Sequence, residues 1–235
     1  MNIWAFHGFL GQNTDWDQWK VRFNQPNLKA WNLDQYVEEK SYPSKKKFID
    51  DLGPLIRRDK PLIIGYSMGG RIALELGFNY QQNVKGLILL SANYGLFMKA
   101  DKPKRRMIDE NWAARFVSEP WEKVVEEWNS QPVFSADEDK AYPKENYKTE
   151  SLTYWLTEWS LGNQGNFFEL LSDGELPWLS IYGEKDSKFR SLWGRLKPLE
   201  TAKTKSFEVP ETGHRVLDKI DRIPPELVQN FVNMC

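Results

Sequence analysis

The sequence predicts an α/β fold: a mostly parallel central sheet with helices on both faces and a helical segment inserted between two of its strands. Three observations lead there. Nearly all-apolar runs of strand length recur along the chain, segments with helical spacing lie between them, and the alternation is interrupted once, over residues 93–172. Strands that are apolar on both faces need cover on both faces. A helix after each strand supplies it and leaves neighbouring strands parallel.

The first strand is Ile3-Trp4-Ala5-Phe6 and the second Leu28-Lys29-Ala30-Trp31. Ser44 to Arg58 has helical spacing and leads to the third strand, Leu62-Ile63-Ile64-Gly65-Tyr66. A helix over Gly70 to Tyr80 follows, with Ile72, Ala73, Leu76 and Tyr80 on one face. Val84 to Leu90 is the fourth strand, Leu176 to Gly183 the fifth and Ser206 to Val209 the sixth. Between the fourth and fifth, Glu110–Phe116, Trp121–Trp128 and Glu150–Leu161 read as amphipathic helices separated by Pro120, Pro132 and Pro143. The expected organisation is a core domain of residues 1–92 and 173–235 carrying a helical cap of residues 93–172. The charge run Lys45-Lys46-Lys47 is expected to be a solvated face, and Lys99 to Arg106 is a second such run.

Composition narrows the function. With 235 residues, 40% of them apolar and 14% aromatic, the chain can bury a sizeable core without disulfides or metal. Cys235 is the single cysteine, so no intramolecular disulfide forms. A net charge of −1 gives no pull toward nucleic acid, and the mean hydropathy of −0.63 accompanies no apolar run near bilayer length. Met1 to Phe6 lacks the basic and apolar regions of a secretory leader, so a cytoplasmic location is expected. Of 11 tryptophans, Trp112, Trp121, Trp128, Trp155 and Trp159 fall in the insertion, where they are expected to roof a pocket.

The strongest local signal is Gly65-Tyr66-Ser67-Met68-Gly69 between the third strand and the following helix. A sharp strand-to-helix turn needs glycine on either side so that the serine can adopt a strained backbone and project its hydroxyl, with the helix N-terminus favouring a developing anion. A serine hydroxyl needs a base and an acid to orient that base. Only His7 and His214 exist. His7, in His7-Gly8-Phe9 after the first strand, suits loop shaping; His214, after the sixth strand, suits the base. Asp186, beyond the fifth strand, is the expected acid, with Glu184 the competitor. The order Ser67, Asp186, His214 is that of the α/β-hydrolase fold. Backbone N–H groups of Phe9 and Met68 would form the oxyanion hole.

With these residues placed, further motifs become informative. His7-Gly8-Phe9-Leu10-Gly11, Gly65 to Arg71, Arg105 four residues before Asp109, Trp128-Asn129-Ser130-Gln131-Pro132-Val133-Phe134 and Gly183-Glu184-Lys185-Asp186-Ser187-Lys188-Phe189 resemble the 2-succinyl-6-hydroxy-2,4-cyclohexadiene-1-carboxylate synthases of menaquinone biosynthesis. The resemblance implies a lyase whose activated serine abstracts a proton so that pyruvate is eliminated, without an acyl-enzyme. It also implies a small polycarboxylate substrate and fixed cations to meet it. Arg71 is one candidate, because a cation in the first turn of a helix opposes the macrodipole and needs an anion to offset it. Arg105 is another, with Arg106 beside it, and Tyr66 and Trp128 match positions that line the family's site. A further cap arginine of the family has no match; Lys144 or Lys148 stands in for it. After the base, Arg215-Val216-Leu217-Asp218 departs from the family pattern, which leaves the exact substrate open.

A serine carboxylesterase or C–C bond hydrolase acting through an acyl-enzyme is the alternative, since the fold hosts both chemistries. A silent binding module is disfavoured by retention of serine, acid and base. Serine at 67 also argues against dehalogenases and epoxide hydrolases, which need a carboxylate nucleophile. No metal, no cofactor, no nucleic acid, no membrane and no obligate protein partner are expected.

Overall fold

The computed structural model describes residues 1–235. Six parallel strands, β1 (Ile3–Phe6), β2 (Leu28–Ala30), β3 (Leu62–Tyr66), β4 (Gly86–Leu90), β5 (Trp178–Gly183) and β6 (Thr204–Val209), form one sheet in the order β2-β1-β3-β4-β5-β6. In chain order the helices are α1 (Asp17–Arg22), α2 (Leu33–Glu39), α3 (Lys45–Asp59), α4 (Met68–Asn79), α5 (Asp101–Ser118), α6 (Trp121–Asn129), α7 (Thr149–Thr157), α8 (Phe168–Ser172), α9 (Ser187–Gly194) and α10 (Pro225–Met234). Helices α5 to α8 all lie between β4 and β5.

Strand residues of alternating parity build two separate apolar layers. Trp4, Phe6, Ile63, Leu87 and Leu89 join α2, α3, α4 and α9 on one face, whereas Ile3, Ala5, Leu62, Ile64, Ile88 and Leu90 join Trp19 of α1 and Val228 and Phe231 of α10 on the other. The period of two thus persists although both faces are buried. Each fully buried Leu or Ile contributes about 1.5–3 kcal/mol of transfer free energy to this arrangement. A third cluster belongs to the insertion: Ala113, Phe116, Trp121, Val124, Leu152 and Leu156 close around Leu10. Trp155 and Trp159 instead join the main core, which seats α7 on the sheet layer.

Local chemistry sets the helix starts. Ser44 accepts the N–H of Lys47 at 3.3 Å to cap α3, and Asn32 accepts that of Gln35 at 3.2 Å to cap α2. Two expectations change here. Helix α5 begins at Asp101 and not near Glu110, because its first turns are polar and exposed and so carry no apolar period, while Pro103 sits early enough to be tolerated. Lys45 is not part of a solvated face: its ammonium binds Glu75 at 2.7 Å and the carbonyl of Asn163 at 2.7 Å, tying α3 to α4 and to the insertion. Lys46 and Lys47 do face solvent and pair with Asp50 and Asp51 one turn on. No helix is long and apolar enough to cross a membrane.

Candidate active site

At the carboxyl edge of the sheet, β3 turns into α4 through Ser67, whose backbone is held at φ 50° and ψ −106°. Such a conformation costs a non-glycine residue about 1–3 kcal/mol and persists only where its surroundings enforce it. Two glycines enforce it here. A Cβ at Gly65 would lie 2.3 Å from the carbonyl oxygen of Gly69, and one at Gly69 would lie 2.0 Å from that of Phe6. The Ser67 N–H is meanwhile anchored to the Leu90 carbonyl at 2.8 Å.

The loop after β6 brings His214 to this serine. Its Nε2 accepts from the Ser67 hydroxyl at 3.1 Å, and its Nδ1–H donates to Asp186 Oδ2 at 2.8 Å. Asp186 is 4% exposed and His214 3%, so the bond between them is shielded from water, while the bond to Ser67 borders the cavity. The other carboxylate oxygen of Asp186 caps α9 by accepting the Phe189 N–H at 3.2 Å, which fixes the rotamer. The turn carrying Asp186 and the loop carrying His214 touch backbone to backbone, since a Cβ at Gly183 would stand 2.0 Å from the Gly213 carbonyl oxygen. Phe189, Phe134 and Tyr66 enclose the imidazole, with ring centroids 4.7, 5.6 and 5.9 Å away. Glu184 instead accepts the Glu211 N–H at 2.9 Å, bracing the His214 loop from outside.

Met68 is the first residue of α4, so its N–H is one of the donors a helix start leaves without an intrahelical acceptor. Phe9 lines the cavity over Ser67 from the loop after β1. His7 holds that loop: its Nδ1–H donates to the Gly8 carbonyl at 2.8 Å while Nε2 accepts from the Leu33 N–H at 3.4 Å. Burial lowers its pKa, consistent with a neutral ring using one nitrogen as donor and the other as acceptor.

The cavity above Ser67 has a volume of about 340 Å³. Its floor is Ser67, Met68 and His214, and its roof comes from the insertion, including Trp128, Phe134 and Trp159. Arg71 and Arg105 both line it. Burial, then the charge of Arg105, push the Arg71 guanidinium down to about 10, and its Nη1–H donates to the Trp159 carbonyl. Arg105 Nε–H donates to Asp109 at 2.8 Å, and the Ser160 hydroxyl donates to the same buried carboxylate at 2.7 Å. Arg106 turns elsewhere and donates to the Gly162 carbonyl at 3.1 Å. A third cation of the wall, Lys188, escaped the sequence reading although it stands in the motif around Asp186. Much of that residue is exposed, yet desolvation and the charge of Arg105 lower its ammonium pKa.

Two other expectations move. Neither Lys144 nor Lys148 reaches this cavity: Lys148 lines a separate polar cavity, where it binds Glu38 of α2, and Lys144 lines neither. Tyr66 does not line it either. Its side chain shares the strand face of Leu62 and Ile64, and so enters a small second chamber of about 50 Å³ that also touches Ser67. Burial pushes its phenol well above the ordinary tyrosine range. Asp137, which no sequence pattern marked, accepts the N–H groups of His214 and Arg215 at 2.8 and 3.1 Å. No three His, Cys, Asp or Glu side chains gather as metal ligands would.

The family model described as alpha/beta hydrolase fold matches residues 46–219. A protein of Haemophilus influenzae is 32% identical over 208 residues, 82% of this chain and 83% of that one. The 2-succinyl-6-hydroxy-2,4-cyclohexadiene-1-carboxylate synthase of Citrobacter koseri is 30% identical over 202 residues, covering 81% of this chain and 79% of its own. Among solved structures, MenH from S. aureus superposes with a TM-score of 0.80 at 21% identity, over 99% of this chain and 94% of that one. A thermophilic esterase from Thermogutta terrifontis, solved with malate bound, superposes with a TM-score of 0.66 at 13% identity, over 100% of this chain and 90% of that one.

Proposed function

This chain belongs to the α/β-hydrolase family, alongside the 2-succinyl-6-hydroxy-2,4-cyclohexadiene-1-carboxylate synthases, and on that premise we propose that it serves menaquinone biosynthesis by eliminating pyruvate from 2-succinyl-5-enolpyruvyl-6-hydroxy-3-cyclohexene-1-carboxylate. The observation that carries the substrate class is charge: Arg71, Arg105 and Lys188 face the cavity against the single carboxylate of Asp109. Such an excess of positive charge along one cavity favours a ligand bearing several carboxylates.

In this reading His214 takes the Ser67 proton while Asp186 steadies the imidazolium. The Ser67 oxygen then removes the ring proton beside the succinyl ketone. Negative charge develops on the ketone oxygen, where the N–H groups of Phe9 and Met68 receive it. As the electron pair returns to form a double bond between ring carbons 2 and 3, the existing 3,4 double bond shifts to carbons 4 and 5, the carbon–oxygen bond at carbon 5 breaks, and pyruvate leaves as its enolate, which takes up the proton held by His214. No bond forms between Ser67 and a substrate carbon. Arg71, Arg105 and Lys188 hold the carboxylates, and Trp128 packs on the ring from the roof.

Supplying that substrate to the purified protein should release pyruvate, at a rate that falls by roughly four or more orders of magnitude in Ser67→Ala. Absence of pyruvate, together with a burst of nitrophenol from nitrophenyl esters, would favour the serine hydrolase reading instead.

A further inference from the structure

The segment after α6 does more than roof the cavity. Gln131, Pro132, Val133 and Phe134 line it, and the next few residues reach across to the base loop. The Asp137 carboxylate accepts two consecutive N–H groups, that of His214 at 2.8 Å through Oδ2 and that of Arg215 at 3.1 Å through Oδ1. The fit leaves no room for a side chain at residue 213, where a Cβ would lie 2.5 Å from Asp137 Oδ1. Arg215 closes the clasp from the other direction. Its guanidinium donates to the Glu138 carbonyl and to Asn129 Oδ1, the latter at 2.5 Å, and lies 4.5 Å from the centroid of Phe134. Phe134 in turn packs edge-on against the His214 ring. One turn of the insertion therefore grips both the backbone and the ring of His214 while its other side faces the substrate space.

A mere anchor would not need a carboxylate in this place. The insertion is also tied to the base loop at the surface, through Lys140 to Asp218 at 2.9 Å and Lys219 to Glu138 at 3.4 Å. Asp137 is instead partly buried, and desolvation raises its carboxyl pKa despite the two N–H groups it accepts. That cost is offset by what the carboxylate orders: a bidentate acceptor fixes the peptide planes on both sides of His214, and with them the direction of the imidazole.

We propose that Asp137 is a positioning residue, which holds His214 between Ser67 and Asp186 and makes the base competent only while the cavity-lining turn 131–138 is seated. The proposal rests on the reading of Ser67, His214 and Asp186 as the catalytic group. It assigns to the insertion a part in assembling the site as well as in shaping the pocket.

The test measures the rate at which a neutral alkyl fluorophosphonate labels Ser67, beside kcat and KM for pyruvate release, in Asp137→Asn, Asp137→Ala and Lys219→Ala. Labelling needs the base but no carboxylate recognition. The expected result is a fall of about 10- to 100-fold in labelling and in kcat for Asp137→Ala, since a misplacement near 1 Å is enough for this, with KM within about twofold because Asp137 does not line the cavity. Asp137→Asn, whose amide oxygen still accepts one N–H, should fall between, and Lys219→Ala should match the parent. Unchanged labelling in Asp137→Ala, or a loss confined to KM, overturns the proposal. If Asp137→Ala does not fold, parent-like labelling in Asp137→Asn overturns it and a reduced rate supports it. Labelling of the parent without pyruvate release would remove the assigned reaction and leave the positioning role standing; a parent that Ser67 labelling cannot detect would remove both.

Discussion

Replacing Arg71 by methionine should separate what this side chain does for the fold from what it does for the substrate. The guanidinium is drawn down to about 10, chiefly by burial and then by the neighbouring charge of Arg105. A displacement of that size corresponds to about 3 kcal/mol by which the folded chain disfavours the charged form at neutral pH. Methionine keeps much of the volume and removes the charge. Against the gain stands the Trp159 carbonyl, which loses its donor at a cost of about 1–3 kcal/mol. The net effect on stability lies between zero and about +2 kcal/mol, or a rise of up to about 6 °C in thermal midpoint for a chain of this size. Activity should move the other way. Loss of one buried partner of a carboxylate costs about 2–5 kcal/mol, roughly 30- to 4000-fold in kcat/KM for the polycarboxylate. Labelling of Ser67 by a neutral fluorophosphonate should change by less than about threefold, because Arg71 does not contact His214 or Asp186. Calorimetry of the unliganded variant and the two rate measurements together decide the matter. Equal losses on both reagents, or a midpoint lowered by more than about 5 °C, would refute the view that this arginine is held at a cost to the fold in order to meet an anion.

Asp186→Asn should lower kcat by about three to four orders of magnitude, since the amide cannot hold the Nδ1–H tautomer of His214, whereas Glu184→Gln should stay within about threefold; the reverse ranking would exchange their roles. His7 has a folded pKa below its unfolded value, so the unfolded chain binds the extra proton first and stability is lost as pH falls through about 6.5. The thermal midpoint should drop between pH 7 and pH 5.5, and less steeply in His7→Gln; parallel curves would show that other groups govern the acid limb.

The fold and the chemistry were legible to different depths. Apolar runs such as Leu62 to Tyr66 announce buried parallel strands because a strand covered on both faces has no solvent side to mark with polar residues. Gly65 and Gly69 announce the turn at Ser67 because only glycine tolerates the backbone atoms about 2 Å from where a Cβ would sit. Family membership follows from the same local patterns. The polar first turns of α5 gave no periodic signal, since exposed helix carries none.

What the sequence by itself determined, then, is what neighbouring residues decide among themselves: strand, elbow, helix cap, and the strand ends at which Ser67, Asp186 and His214 stand. The tertiary structure alone decided which side of the sheet edge Tyr66 takes, that Lys45 is tied to Glu75, that Lys188 and not Lys144 or Lys148 joins the two arginines, and that Asp137 grips a base loop 77 residues away. Those choices depend on which surfaces packing brings together. Nothing in the local spacing of polar side chains encodes a partner contributed by another element.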